Sequence, residues 1–227
     1  VELRDALRTT GSIRRFTDQP VDDRLLYAIL DDARFAPSGG NRQAWRVIVV
    51  KDDARRRALA ADYLDAWHDY VGHVLAGLVP FSPLATDEER QRAGAQRDAA
   101  IELSRPDGFP ETLASVPVML VVVVDLTALA ATDRDLGRYQ FAGGASIYPF
   151  VWSILLAARE RGLAGVMTTV ATRNEPHLRA ILGLEESFAV ACVVALGFPE
   201  VRHTRLSRRA VEEFSAVDYL AGEPFTG

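Results

Sequence analysis

Apolar residues recur along this chain in two periods, and the switches between them lay out its elements. After Pro20-Val21-Asp22, the positions Leu25, Leu26, Ile29, Leu30 and Ala33 repeat at about 3.6 residues, which predicts a helix burying one face. Residues 2–9 suit a shorter helix, broken by Thr10-Gly11-Ser12 before an extended basic segment at Arg14-Arg15. From Arg46 to Val50 the pattern becomes a run of apolar residues, as in a strand covered on both faces. Helical spacing returns from Asp53 to about Gly77, with Tyr63, Trp67 and Tyr70 along it, until Pro80-Phe81-Ser82-Pro83 interrupts. Thr86 and Glu89 have the spacing of a capping box for a charged helix to about Ser104, which the Arg105–Pro110 segment ends.

The second half is more apolar. Pro117–Leu126 is valine-rich with no charge before Asp125, the pattern of a central strand. Ser146–Arg161 is apolar on nearly every side through Ile147, Val151, Ile154, Leu155 and Leu156, so this predicted helix must be covered all round. Gly162-Leu163 ends it, Gly165–Val170 reads as a strand, and Thr172–Pro176 restarts a short helix closed by Gly183. Val190–Leu196 is the last core strand. Beyond Gly197-Phe198-Pro199 the chain turns basic, with Arg202, Arg205, Arg208 and Arg209, before a stretch of extended character from Phe214 to Tyr219. With no repeat and no linker, residues 1–227 read as one domain.

Composition narrows the chemistry. At 48% hydrophobic, 227 residues are enough for one sizeable core. A net charge of −5 argues against a nucleic-acid partner, which needs a basic face. No apolar run is long enough to span a bilayer, and a cytoplasmic, non-membrane protein is expected. The single cysteine, Cys192, lies within an apolar run and reads as a buried strand residue. The four histidines have no i, i+4 pair, so no metal site is predicted, and neither a serine nucleophile elbow nor a phosphate loop is present.

One loop stands out. Ala36–Trp45 joins a helix to a strand yet carries Ser38, Asn41 and Gln43 beside Gly39 and Gly40. Three hydrogen-bonding side chains next to two glycines could hold a flat, polar ligand. Composition alone equally allows an ordinary connection whose polar groups satisfy one another.

This loop, together with Ser12-Ile13-Arg14-Arg15-Phe16, Pro20-Val21, the helix ending Leu155–Arg159 and Gly162-Leu163, closely resembles the flavin-dependent nitroreductase family. The resemblance covers roughly residues 8–50 and 143–215. It implies an α+β fold with a central, mostly antiparallel sheet flanked by helices, assembled as an intertwined homodimer with shared active sites. It also implies FMN as cofactor and NAD(P)H as electron donor, with a small-molecule acceptor reduced at the same site. Residues 60–112 fall where the family varies most and shapes its substrate cavity, although the aromatics there also suit a plain core.

The resemblance assigns Ser12 and Arg14 to the first cofactor segment, Arg14 toward the pyrimidine edge of the flavin. Arg208 matches an arginine that holds the phosphate, with Arg205 as a second cation. Pro37, Ser38, Gly39 and Asn41 belong to the loop that reaches the flavin held mainly by the other subunit. Met167, Thr168 and Thr169 fall beside N5, where Thr169 and Arg14 would bear on the chemistry. Arginine suits these roles, because a fixed guanidinium stabilises charge that builds at N1 and O2, and holds phosphate as well. Solvated surface charge is the plainer reading of an isolated arginine.

Three departures from the family pattern affect cofactor affinity and pocket shape. Thr10-Gly11 stand where arginines usually precede the serine, Ala44 replaces a proline, and Trp152-Ser153 replace a polar pair. The leading expectation is an NAD(P)H-dependent FMN oxidoreductase acting on nitroaromatics, quinones or related acceptors by a ping-pong route. The alternatives are reductive dehalogenation or flavin fragmentation on the same fold, or a flavin-binding protein with little catalysis.

Overall fold

The computed structural model describes residues 1–227, and its core is a four-stranded sheet in the order β1-β2-β4-β3. These strands are Trp45–Val49 (β1), Val118–Asp125 (β2), Ala164–Thr168 (β3) and Phe188–Gly197 (β4). Every pairing is antiparallel. Strand β2 is buried along seven of its eight residues because its pleat feeds two cores. Val118, Leu120, Val122 and Val124 face one, and Met119, Val121 and Val123 face the other. Each such side chain, fully buried, contributes about 1.5–3 kcal/mol.

The first core lies under helices Asp23–Ala33 (α2) and Tyr148–Glu160 (α7), which pack on each other. Asp22 caps α2 by accepting from the Arg24 N–H. The second core lies under Asp53–Leu75 (α3), Phe109–Thr112 (α6) and Glu175–Leu182 (α8). Gly183, left-handed at φ 65°, ends α8. A bulge at Ala191 shifts the β2–β4 register between Val122 and Val123, and the Val190 N–H beside it donates to Glu175 at 2.7 Å.

Several expectations are corrected. β1 is an edge strand, and its middle residues are only half-buried, so the apolar run 46–50 is not covered on both sides within one chain. Thr86 and Glu89 do form the capping box, but the charged helix divides into Asp87–Gly94 (α4) and Arg97–Glu102 (α5). The strand expected at 165–170 stops at Thr168, and a 3-10 turn begins at Val170. Phe214–Tyr219 is not extended: the Val217 N–H donates to the Glu223 carbonyl and the Tyr219 N–H to that of Val217, folding the tail into turns. α7 is buried on most of its surface, yet Tyr148 and Trp152, one turn apart, remain 39% and 37% exposed. No helix is long and apolar enough to cross a membrane.

Candidate cofactor site

The candidate residues fall on two opposite edges of the sheet. At the β3 edge, the segment after the N-terminal helix Leu3–Thr9 (α1) runs beside the strand, its Ile13 N–H donating to the Gly165 carbonyl at 2.9 Å. Gly165 is needed there, because a Cβ would sit 2.2 Å from the Ala195 carbonyl oxygen. Ile13 is buried, which turns Ser12 and Arg14 outward. The Arg14 guanidinium lies 6.0 Å from the centre of the Phe109 ring. Arg15 instead pairs with Asp107 at 2.9 Å.

At the end of β3, the Thr168 hydroxyl donates to the Tyr63 phenol oxygen at 3.2 Å. Burial raises the Tyr63 pKa, while that hydrogen bond and the positive charge of Arg14 act in the opposite direction. Thr168 is thus committed inward. Met167 packs toward the other core, and Thr169 is exposed with no hydrogen bond from its own hydroxyl. The basic tail reaches the same edge, since His203 and Leu206 lie against Gly11. Arg205 and Arg208 are exposed and form no ion pair; Arg208 donates only to the neighbouring Ser207 carbonyl.

Two arginines that the sequence did not single out for binding stand behind Thr10. Arg159, on α7, donates to the Thr9 hydroxyl at 3.0 Å, and Arg202 donates to the Gly162 and Leu163 carbonyls. Neither has a carboxylate partner. Desolvation, and then the charge of Arg159, lowers the pKa of Arg202. The Thr10 hydroxyl oxygen and the Arg159 Nε are buried without partners. The gap that Thr10, Arg159 and Arg202 line holds only about 10 Å³, so this pair contributes positive charge from behind and does not itself touch a phosphate. The separation of Arg159 and Arg202 in the chain hid the pair. The exposed Ser12, Arg205 and Arg208 are the groups at this edge that fit a phosphate-bearing cofactor, despite Thr10-Gly11 in place of arginines.

The polar loop stands at the β1 edge. Ser146 anchors it by accepting from the Gly39 N–H at 3.0 Å, and Trp45 stacks on Phe150 with ring centres 4.6 Å apart. The Ser38 hydroxyl accepts from the Gln43 N–H at 3.0 Å, and the Gln43 amide reaches Asn41 Oδ1 at 3.2 Å. Much of the loop's polarity is thus satisfied internally. What exceeds an ordinary connection is its backbone: Gly40, Asn41 and Gln43 all have positive φ, at 58°, 53° and 49°. Pro37, Gly39 and Asn41 are exposed. Three strand spacings separate β1 from β3, about 14 Å, so one chain does not bring this loop to Arg14 and Thr169.

Comparison with known proteins decides the family. Residues 7–198 match the model of the nitroreductase family. The chain belongs to the nitroreductase family. Among its relatives, an NADH dehydrogenase of Thermus thermophilus is 31% identical over 201 residues, covering 88% of this chain and 87% of the relative. A 5,6-dimethylbenzimidazole synthase of Rhodospirillum rubrum is 28% identical, covering 84% and 79%. The solved structure of a mutant FMN and NADPH-dependent nitroreductase from sphigopyxis sp. strain HMH superposes with a TM-score of 0.64 at 25% identity, covering 96% of this chain and all of that one. This nitroreductase-family chain is an α+β oxidoreductase, and its fully antiparallel sheet flanked by helices is the family's fold.

Proposed function

We propose that the protein is an FMN-dependent oxidoreductase that uses NAD(P)H to reduce a flat acceptor of the nitroaromatic or quinone kind. The observation that carries this reading is that Arg14, beside Phe109 and close enough for its charge to act on Tyr63, shares the β3 edge with the exposed Thr169 and the basic tail. When bound, FMN supplies hydride acceptance and electron transfer.

The chain's own residues supply binding and electrostatics. Ser12, Arg205 and Arg208 hold the phosphate, backed by the Arg159–Arg202 pair. Arg14 offers positive charge to the pyrimidine edge. Thr169, at the end of β3, would lie beside the flavin ring with Met167 in the segment behind it, while Thr168 fixes the end of β3 through Tyr63. Pro37, Ser38, Gly39 and Asn41 serve the site of a second copy, because they lie at the far edge of their own chain. The half-covered Tyr148–Trp152 face of α7 and the exposed Phe214, Tyr219, Leu220 and Phe225 of the tail support a homodimer.

The free hydroxyl of Thr169 favours a second reading, specialised flavin chemistry such as dehalogenation or flavin fragmentation, in line with the synthase among the relatives. The visible spectrum of the purified protein tests the first requirement, since a bound flavin absorbs in the visible. Anaerobic mixing with NADH or NADPH then tests the second. A colourless protein that takes up no FMN sinks both readings, and a flavin that neither nucleotide reduces sinks the first.

A further inference from the structure

A cavity lies beyond the end of β3, between the C-terminal half of α3, residues 81–94 and the turn at Arg173. Its volume is about 430 Å³, within the range of roughly 300–1,000 Å³ typical of small-molecule sites. Tyr63 and His73, ten residues apart on α3, place it about 15 Å along the helix from the Thr168 contact. The helices α3 and α4 close its floor tightly, because a Cβ at Gly72 would meet the Ala93 carbonyl oxygen at 2.7 Å.

Its wall is aromatic and held under strain. Phe81 has φ 54°, a left-handed conformation that non-glycine residues rarely adopt. That geometry sets its ring 4.7 Å from the His73 ring and beneath the Arg173 guanidinium, also at 4.7 Å. The His73 Nδ1 is engaged with the Asp69 carbonyl at 2.8 Å, which fixes the imidazole.

Arg173 is the cation of the lining that has no ion-pair partner. Asp69 shares Arg97 with Asp65, and Arg90 pairs with Asp87. Arg173 has no carboxylate and no hydrogen-bond acceptor; its one contact of note is the face of Phe81. A guanidinium stacked on a ring presents its N–H fork edge-on, the geometry that takes a carboxylate with two parallel hydrogen bonds.

We propose that this cavity binds a single-ring aromatic carboxylate, its ring against Phe81 and His73 and its carboxylate on Arg173. The site stands on its own geometry and does not depend on the flavin reading. Isothermal titration of benzoate into the purified protein tests it, with benzamide as the neutral probe of nearly the same shape. Benzoate is expected to bind saturably and benzamide at least about tenfold more weakly. Arg173→Gln is expected to lower benzoate affinity by about tenfold or more, with Arg173→Lys intermediate, and to leave benzamide unchanged. Arg173 is exposed, so neither variant disturbs the core. No benzoate binding, equal affinity for the two probes, or benzoate binding that survives Arg173→Gln would each overturn the proposal.

Discussion

The Thr168 hydroxyl and the Tyr63 phenol oxygen, 3.2 Å apart, join the end of β3 to the middle of α3 within reach of the charge of Arg14. Tyr63 is almost fully buried, packing edge-on to Phe109 and stacked toward Trp67. The contact fixes both the last residue of the strand and the buried aromatic cluster from one point. Tyr63→Phe keeps the ring and removes the acceptor, and should cost about 1 kcal/mol in urea unfolding. An unchanged midpoint would mean that the hydroxyl pair contributes nothing net.

Alkaline behaviour follows from two buried acids. Burial raises the Tyr63 pKa and pushes Cys192 up to about 12. A group whose folded pKa is raised contributes stability that is present below its unfolded value and lost as pH rises through the folded one. Stability should therefore fall as pH climbs above the unfolded thiol and phenol values, about 8.5 and 10. Cys192 should also resist a thiol reagent at pH 8 in the native protein and react after unfolding in urea, while rapid native labelling would contradict its burial.

Asp133 organises the segment between β2 and α7. Its Oδ2 accepts from the Phe141 and Ala142 N–H groups at 2.9 and 3.1 Å and from Arg138 at 3.0 Å. The Phe141 bond contributes most to holding its pKa below the usual carboxylate value, against a desolvation that raises it. With a depressed folded pKa, this contribution is present above the unfolded value and lost as pH falls through the folded one. Asp133→Asn should speed hydrogen exchange at Phe141 and Ala142 in neutral solution. Equal protection in the variant would show that these amides are held by other means.

Local signals were legible in the sequence, and non-local ones were not. The Thr86–Glu89 capping box, the Gly183 stop and the two-faced burial of β2 each depend on a few neighbouring residues, and each is found. The exposure of β1 depends on which strand lies beside it, which a run of apolar residues does not encode. The Arg159–Arg202 pair and the Phe81 wall likewise arise from chain segments that meet only in the fold. Ser38, Asn41 and Gln43 were conspicuous, but their mutual hydrogen bonds and positive φ values required the backbone.

The separation of the polar loop from Arg14 makes a shared site testable. The protein should sediment as a dimer at micromolar concentration. Coexpressing an Arg14→Ala chain with an Asn41→Ala chain should yield mixed dimers with one intact site and one doubly altered site. NAD(P)H-dependent reduction would then recover to about half per mixed dimer, above either parent. No recovery would place the complete site within one chain.

The phosphate assignment rests on the tail. Arg208→Ala should weaken FMN binding by about 1.5–3 kcal/mol, the range for a hydrogen bond to a charged group, without affecting the fold. Arg208 is exposed and bonds only to its neighbour's carbonyl, so no structural contact is lost. Fluorescence titration that finds equal affinity would remove Arg208 from the phosphate and leave Ser12 and Arg205 to hold it.

Arg14 and Arg15 provide the closest comparison, because adjacent residues in an extended segment meet different surroundings. Arg14 lies over Phe109 and lowers the Tyr63 pKa through its charge, whereas Arg15 is tied to Asp107 on the surface. If Arg14 faces the pyrimidine edge, it stabilises the more negative reduced flavin over the oxidised one. Arg14→Ala should then lower the reduction potential and slow reduction by NAD(P)H, with only a moderate loss of FMN affinity. Arg15→Ala removes an exposed ion pair worth at most about 1 kcal/mol and should leave the potential unchanged. Equal potentials and equal reduction rates in the two variants would remove Arg14 from the pyrimidine edge and leave the segment a basic surface strand.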